Sequence, residues 1–129
     1  MALIERLDNF GLISEDSRRI IHSLYDPLSG TMRNITGGEF NLLTIKDPSA
    51  VLGNHWHEFG ECFFFLGGGT LFMADRVTGE RRDYKFTLGR GVYIPQGIAH
   101  ALIGERGTMI VSRIEGVFSR EKTHTYKLI

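Results

Sequence analysis

The sequence predicts an all-β fold, a sandwich or barrel of short strands. From about residue 40 onward, short apolar segments alternate with turn signals at roughly 8–12-residue spacing. Glycine supplies 16 of the 129 residues, well above the usual share of roughly 7%, and it is spread along the chain. No segment past residue 40 sustains the 3.6-residue period of an amphipathic helix.

The expected strands follow in order. Asn41 to Lys46 is the first, and Cys62 to Leu66 runs up to the Gly67-Gly68-Gly69 turn. Leu71 to Ala74 stops before Thr78-Gly79-Glu80, and Tyr84 to Leu88 stops at Gly89. Val92 to Ile94 ends on Pro95-Gln96-Gly97, His100 to Ile103 on Gly104-Glu105-Arg106-Gly107, and Thr108 to Ile114 closes the series. Upstream, Ser14-Glu15-Asp16-Ser17 has the composition of a helix cap, whereas Arg19 to Tyr25 has the β-branched, apolar look of a strand. Asp26-Pro27 and Ser29-Gly30 are turn signals. Residues 1–40 therefore read as one or two extra strands laid on a barrel core of residues 41–118, all in a single domain spanning 1–129.

Bulk composition excludes several classes. Lys+Arg and Asp+Glu number 15 each, so no overall field attracts nucleic acid or an anionic membrane. The adjacent pairs Arg18-Arg19 and Arg81-Arg82 read as solvated surface charge. Cys62 is the single cysteine, so no intrachain disulfide forms. The N-terminus carries acids early and lacks an apolar signal core, and no apolar run approaches the ~20 residues of a membrane span. A cytoplasmic location is expected.

The chemistry concentrates in two runs, His55-Trp56-His57-Glu58-Phe59-Gly60-Glu61 and Gly89 to His100. Residues two apart on a strand share a face, so His55 and His57 point the same way with Cα atoms about 6.6 Å apart. Glu61 lies four residues further, about 13 Å along a straight strand, too far to share an ion with them. The chain must therefore reverse at Glu58-Phe59-Gly60, with Gly60 free to adopt positive φ. Glu61 then opens a returning strand, on which Phe63 and Phe65 share its parity and are expected to line the pocket. Cys62, Phe64 and Leu66 face outward and are also apolar, which calls for a cover, a second sheet or a partner subunit. In the second run Pro95 and Gly97 set a turn just before His100. Tyr93 is a candidate pocket-lining and catalytic group, and Glu58 a candidate base. Trp56 should face away from the histidines, and Cys62 reads as a small hydrophobe. His22 and His124 read as surface residues.

These runs resemble the two cupin motifs. His55, His57, Glu61 and Gly68 match Gly-x5-His-x-His-x3-Glu-x6-Gly, with Ser49 in place of the leading glycine. Gly89, Pro95, Gly97 and His100 match Gly-x5-Pro-x-Gly-x2-His-x3-Asn, with Gly104 in place of asparagine. The resemblance spans residues 49–104. It implies a jelly-roll β-barrel holding a divalent transition metal (Fe, Mn, Zn, Ni or Cu) on His55, His57, Glu61 and His100. Three imidazoles and a carboxylate leave one or two positions open, which suits a catalytic site. Gly53 to His57 is similar to small cupins that modify nucleotide sugars, so the leading expectation is a sugar or nucleotide-sugar isomerase or epimerase. An Fe(II)-dependent dioxygenase and a non-catalytic small-molecule-binding cupin are the alternatives. A homodimer is expected.

Overall fold

The computed structural model describes residues 11–25, 38–116 and 119–129. They form β1 (Gly11–Glu15), β2 (Arg19–Tyr25), β3 (Glu39–Ile45), β4 (Leu52–His57), β5 (Glu61–Leu66) and β6 (Gly69–Asp75). The series continues with β7 (Arg81–Phe86), β8 (Gly91–Ile94), β9 (Ile98–Gly104), β10 (Met109–Ile114) and β11 (Thr123–Thr125). A 3₁₀ turn at Arg120–Lys122 precedes β11. No helix among the described residues is long and apolar enough to cross a membrane.

The strands form two antiparallel sheets. One has six strands in the order β1-β2-β3-β10-β5-β8, and the other has five in the order β11-β4-β9-β6-β7. Apart from β1–β2, β2–β3 and β6–β7, neighbouring strands are distant in sequence, as expected of a jelly roll. Asp16 closes the β1–β2 connection by accepting the Arg18 and Arg19 amides on Oδ1, so Ser14 to Ser17 caps no helix.

The inner faces supply the core. Phe65 stacks on Phe86 at 3.8 Å between nearly parallel rings, and Ile45, Leu52, Leu71, Ile94, Leu102 and Ile110 pack around them. Burying one such side chain contributes about 1.5–3 kcal/mol. Along β5, Phe63 and Phe65 are buried whereas Phe64 and Leu66 are exposed, as the two-residue period requires.

Two strands differ from expectation. β7 begins at Arg81, because Arg81, Arg82 and Asp83 extend an exposed edge, where charge deters further pairing. β11 has a polar Thr-His-Thr sequence without strand character and forms by pairing with β4.

The feature that positions the site lies in β4. Its pairing with β9 slips between Gly53 and His55: Gly53 faces Ala101 and His55 faces His100. The extra residue, Asn54, makes a bulge in which Gly53 (φ 90) and Asn54 (φ 58) are both left-handed. Glycine and asparagine are the residues that tolerate this conformation. A Cβ on Gly53 would lie 2.8 Å from the His100 carbonyl oxygen. Leu52 is inward and 3% exposed, so regular alternation would turn His55 and His57 outward. The bulge reverses the phase, and His57 is 4% exposed.

Candidate metal centre

His55 and His57 arrive on β4, Glu61 on β5 and His100 on β9. Two devices bring the runs together. The chain reverses between His57 and Glu61, and the Pro95–Ile98 turn docks on β4. In that turn the Ile98 amide donates to the Pro95 carbonyl (3.2 Å), with Gly97 at φ 86. This is the type II turn that requires positive φ at its third residue. The Gly97 amide donates to the His57 carbonyl (2.9 Å), which ties the second run to the first three residues before His100.

The reversal at Gly60 differs from expectation. Gly60 is not left-handed; it is required by close approach. A Cβ there would collide with the Tyr93 hydroxyl and lie 3.0 Å from the Glu115 carboxyl carbon. The Gly60 amide donates to Glu115 Oε2 (3.3 Å), and the Glu115 amide donates back to the Gly60 carbonyl (3.0 Å).

The three imidazoles converge. One ligand nitrogen from each of His55, His57 and His100 lies within 4.8 Å of the others, so the group can hold a metal ion. Glu61 joins two of them, with Oε1 3.7 Å from His57 Nε2 and 3.5 Å from His100 Nε2. Its other oxygen, Oε2, accepts the Ser112 hydroxyl at 2.7 Å inside the barrel. Ser112 thereby aims Oε1 at the histidines.

The outer ring nitrogens of His57 and His100 are engaged as well. His57 Nδ1 lies 2.8 Å from the Thr123 hydroxyl, which donates to the Ser119 carbonyl at 3.0 Å. The Thr123 proton is thus committed, so its oxygen accepts from His57 Nδ1–H and leaves a lone pair on Nε2. His100 Nδ1 faces the Ile98 carbonyl at 3.2 Å; a carbonyl only accepts, so His100 also carries its proton on Nδ1. His100 Nε2 is then a buried acceptor without a hydrogen-bond partner. An unpaired buried acceptor is costly, and a cation at the centre of the group satisfies it. The residues fit a metal.

Electrostatics favour the neutral imidazoles that a metal requires. Burial pushes His55 down to about 3, with the nearby His100, His57 and Arg19 acting in the same direction. Burial also pushes His57 down to about 4 against the opposing pull of Glu61.

Aromatic rings border the group. Phe63 lies edge-on to His100 at 5.9 Å, and Phe59 stacks on His57 at 4.5 Å. Phe59 had no expected role; its position inside the reversal, beside His57 in sequence, was the available sign. Three expected site residues lie elsewhere. Phe65 is fully buried one step deeper, stacked on Phe86 in the core. Tyr93 pairs with Cys62 on the outer parity of β8, is 51% exposed, and donates to Glu115 Oε1 at 3.0 Å. That carboxylate raises its pKa. Glu58 is exposed and sits 2.9 Å from His124 Nε2, so its carboxylate is engaged outside the barrel.

The outer face of β4 carries a stack. Trp56 points away from the histidines as expected, between His124 (4.2 Å) and the Arg76 guanidinium (3.9 Å). His124 is a surface residue, as expected, with one face against Trp56. Ser112 and Thr123 were also missed. Ser112 left a trace, because it shares the inward parity of Ile110 and Ile114, where a hydroxyl needs a partner.

No family model matches the chain, and no curated protein matches it. Solved structures do. The capsular polysaccharide assembling protein CapF from Staphylococcus aureus superposes with a TM-score of 0.76 at 17% identity, covering 95% of this chain and 34% of that one. CapF with the inhibitor 3-isopropenyl-tropolone gives 0.76 at 18% identity, over 93% of this chain and 35% of that one. Oxalate decarboxylase from Bacillus subtilis gives 0.74 at 17% identity, over 91% of this chain and 30% of that one. The chain thus spans about a third of the length of these proteins. At such identities the likeness shows the fold, and that fold is the jelly roll the cupin resemblance implies.

Proposed function

We propose that the chain is a metal-dependent cupin enzyme acting on a small molecule, a sugar or nucleotide-sugar isomerase or epimerase. The observation that carries the metal is His100 Nε2, buried without a hydrogen-bond partner and aimed at the group formed with His55, His57 and Glu61. On this reading His55, His57, His100 and Glu61 are the four ligands. The bound ion would supply Lewis-acid polarisation of a carbonyl or hydroxyl. The chain's own residues do the rest: Thr123 and the Ile98 carbonyl hold the His57 and His100 imidazoles, Ser112 holds Glu61, and Phe63 and Phe59 exclude water. The similarity to a capsular polysaccharide assembling protein supports the sugar class.

A second reading, an Fe(II)-dependent dioxygenase, draws support from the same two phenylalanines, whose rings against His57 and His100 suit an apolar substrate. A non-catalytic binding module is the third. Metal analysis of protein purified without chelators tests the shared premise, and one equivalent of divalent metal, lost in His57→Ala, is expected. Substrate-proton exchange in deuterated water then supports the isomerase, whereas iron with oxygen uptake supports the dioxygenase. Metal binding with neither response leaves the binding module.

We also propose a homodimer formed through the outer face of the six-stranded sheet. Phe64, Leu66, Met109 and Tyr93 are exposed there, and the pairs Leu66–Met109 and Phe64–Val111 make adjoining apolar rows. An exposed apolar patch of this kind is a common mark of an interface.

A further inference from the structure

Arg18 and Arg19 are adjacent in sequence but have different surroundings. Arg18 lies outside and grips Asp16 through Nε (3.3 Å) and Nη2 (2.9 Å). Arg19 pairs across the sheet with Ile45, a core residue 2% exposed. Directly paired residues share a face, so Arg19 projects inward. Its Nε is buried without a hydrogen-bond partner. No side-chain hydrogen bond or ion pair joins its guanidinium to a described residue, and the nearby Asp16 carboxylate is engaged by Arg18. A second unpartnered polar group stands on the same wall. Asn41 shares the inward parity of Leu43 and Ile45 on β3, and its Oδ1 is buried without a partner. It pairs directly with Ser112 of β10, whose hydroxyl holds Glu61.

The inner face of the six-stranded sheet, opposite the sheet that carries the histidines, thus offers a guanidinium and an amide whose hydrogen bonds the described residues do not satisfy. Buried polar groups are ordinarily paired, and a guanidinium fits an oxyanion in a two-pronged geometry. We infer that Arg19 and Asn41 form the recognition wall of a substrate subsite, and that the substrate carries an oxyanionic group, carboxylate or phosphate, that Arg19 binds. This rests on the reading that His55, His57 and His100 mark the reaction centre. Arg19 holds the anionic end of the substrate, and Asn41 bonds a neighbouring polar group.

The test titrates the full-length protein, metal-free and zinc-loaded, with acetate, inorganic phosphate and acetamide, followed by NMR. Saturable binding of acetate or phosphate, with acetamide at least about tenfold weaker, is expected. The oxyanion bound more tightly identifies the source. Arg19→Gln should lose about tenfold or more in affinity for that oxyanion, the scale of a lost charged hydrogen bond, with Arg19→Lys intermediate. Zinc affinity should be unchanged in both variants. Equal oxyanion affinity in wild type and Arg19→Gln, or acetamide binding as tightly as acetate, overturns the inference. If Arg19→Gln does not fold, the wild-type comparison of acetate with acetamide and the Arg19→Lys variant still decide it. Failure of the wild type to take up zinc would count against the metal reading alone, because the metal-free titrations test Arg19 separately.

Discussion

The Thr123 hydroxyl lies 2.8 Å from His57 Nδ1 and is itself committed to the Ser119 carbonyl. A residue on the polar C-terminal strand thereby selects the tautomer of a histidine in the barrel. Such outer partners are commonly worth 10–100-fold in metal affinity. Thr123→Val should weaken binding of a divalent metal by about that factor, while Thr123→Ser, which keeps the hydroxyl, should restore most of it. Competition with a chromophoric chelator measures both. Equal affinities for Val and Ser would assign Thr123 a packing role only.

Ser112 performs the corresponding task for Glu61. Ser112→Ala leaves Glu61 Oε2 buried without its hydrogen bond, at a cost of about 1–3 kcal/mol. Metal affinity and the urea midpoint of the metal-free protein should both fall. An unchanged midpoint would mean that Glu61 swings to another partner.

The depressed histidines predict an acid-labile metal-free state. Burial pushes His55 and His57 down to about 3 and about 4 in the folded state, against about 6.5 in an unfolded chain. The unfolded state therefore binds protons first as pH falls. The stabilisation is fully present above about pH 6.5 and is lost as pH falls towards 4 and then 3. Within that window the slope approaches about 1.4 kcal/mol per pH unit for each histidine. Urea midpoints of chelator-treated protein should drop between pH 7 and pH 5, and a flat profile over that range would contradict the burial of these rings.

The outer face of the six-stranded sheet gives a prediction independent of the metal. Phe64 is 51% exposed at the centre of the apolar rows. Phe64→Lys should shift the protein towards monomer in sedimentation equilibrium, with little change in thermal midpoint measured at low concentration. A wild type that sediments as a monomer at micromolar concentration removes the proposal.

Much of the architecture was legible because turn chemistry is local. Gly97, Pro95 and the parity of Glu61, Phe63 and Phe64 each follow from backbone rules that act over a few residues. The convergence of His55, His57 and His100 was likewise legible from two motifs. What escaped depends on register and tertiary pairing. Tyr93 lies inside the second motif, yet its pairing with Cys62 turns it outward. Glu58 is occupied by His124, from a strand with no apolar signature. Arg19 is indistinguishable from Arg18 in sequence, and only pairing with Ile45 sends it inward.

The bulge at Gly53 and Asn54 has a further consequence. A strand has two frames, and one surplus residue shifts β4 from the frame that would turn Trp56 inward to the frame that turns His55 and His57 inward. The orientation of the centre is therefore set by a count, separately from the energy that holds the sheets together. Loss of the single codon for Asn54 would return Trp56 to the interior frame and turn both histidines to solvent. A lineage could thus silence this chemistry by a deletion far smaller than any that would erase the barrel's strand pattern, and the presence of Gly53-Asn54 before such a histidine pair is a cheap sign that the chemistry is still in frame.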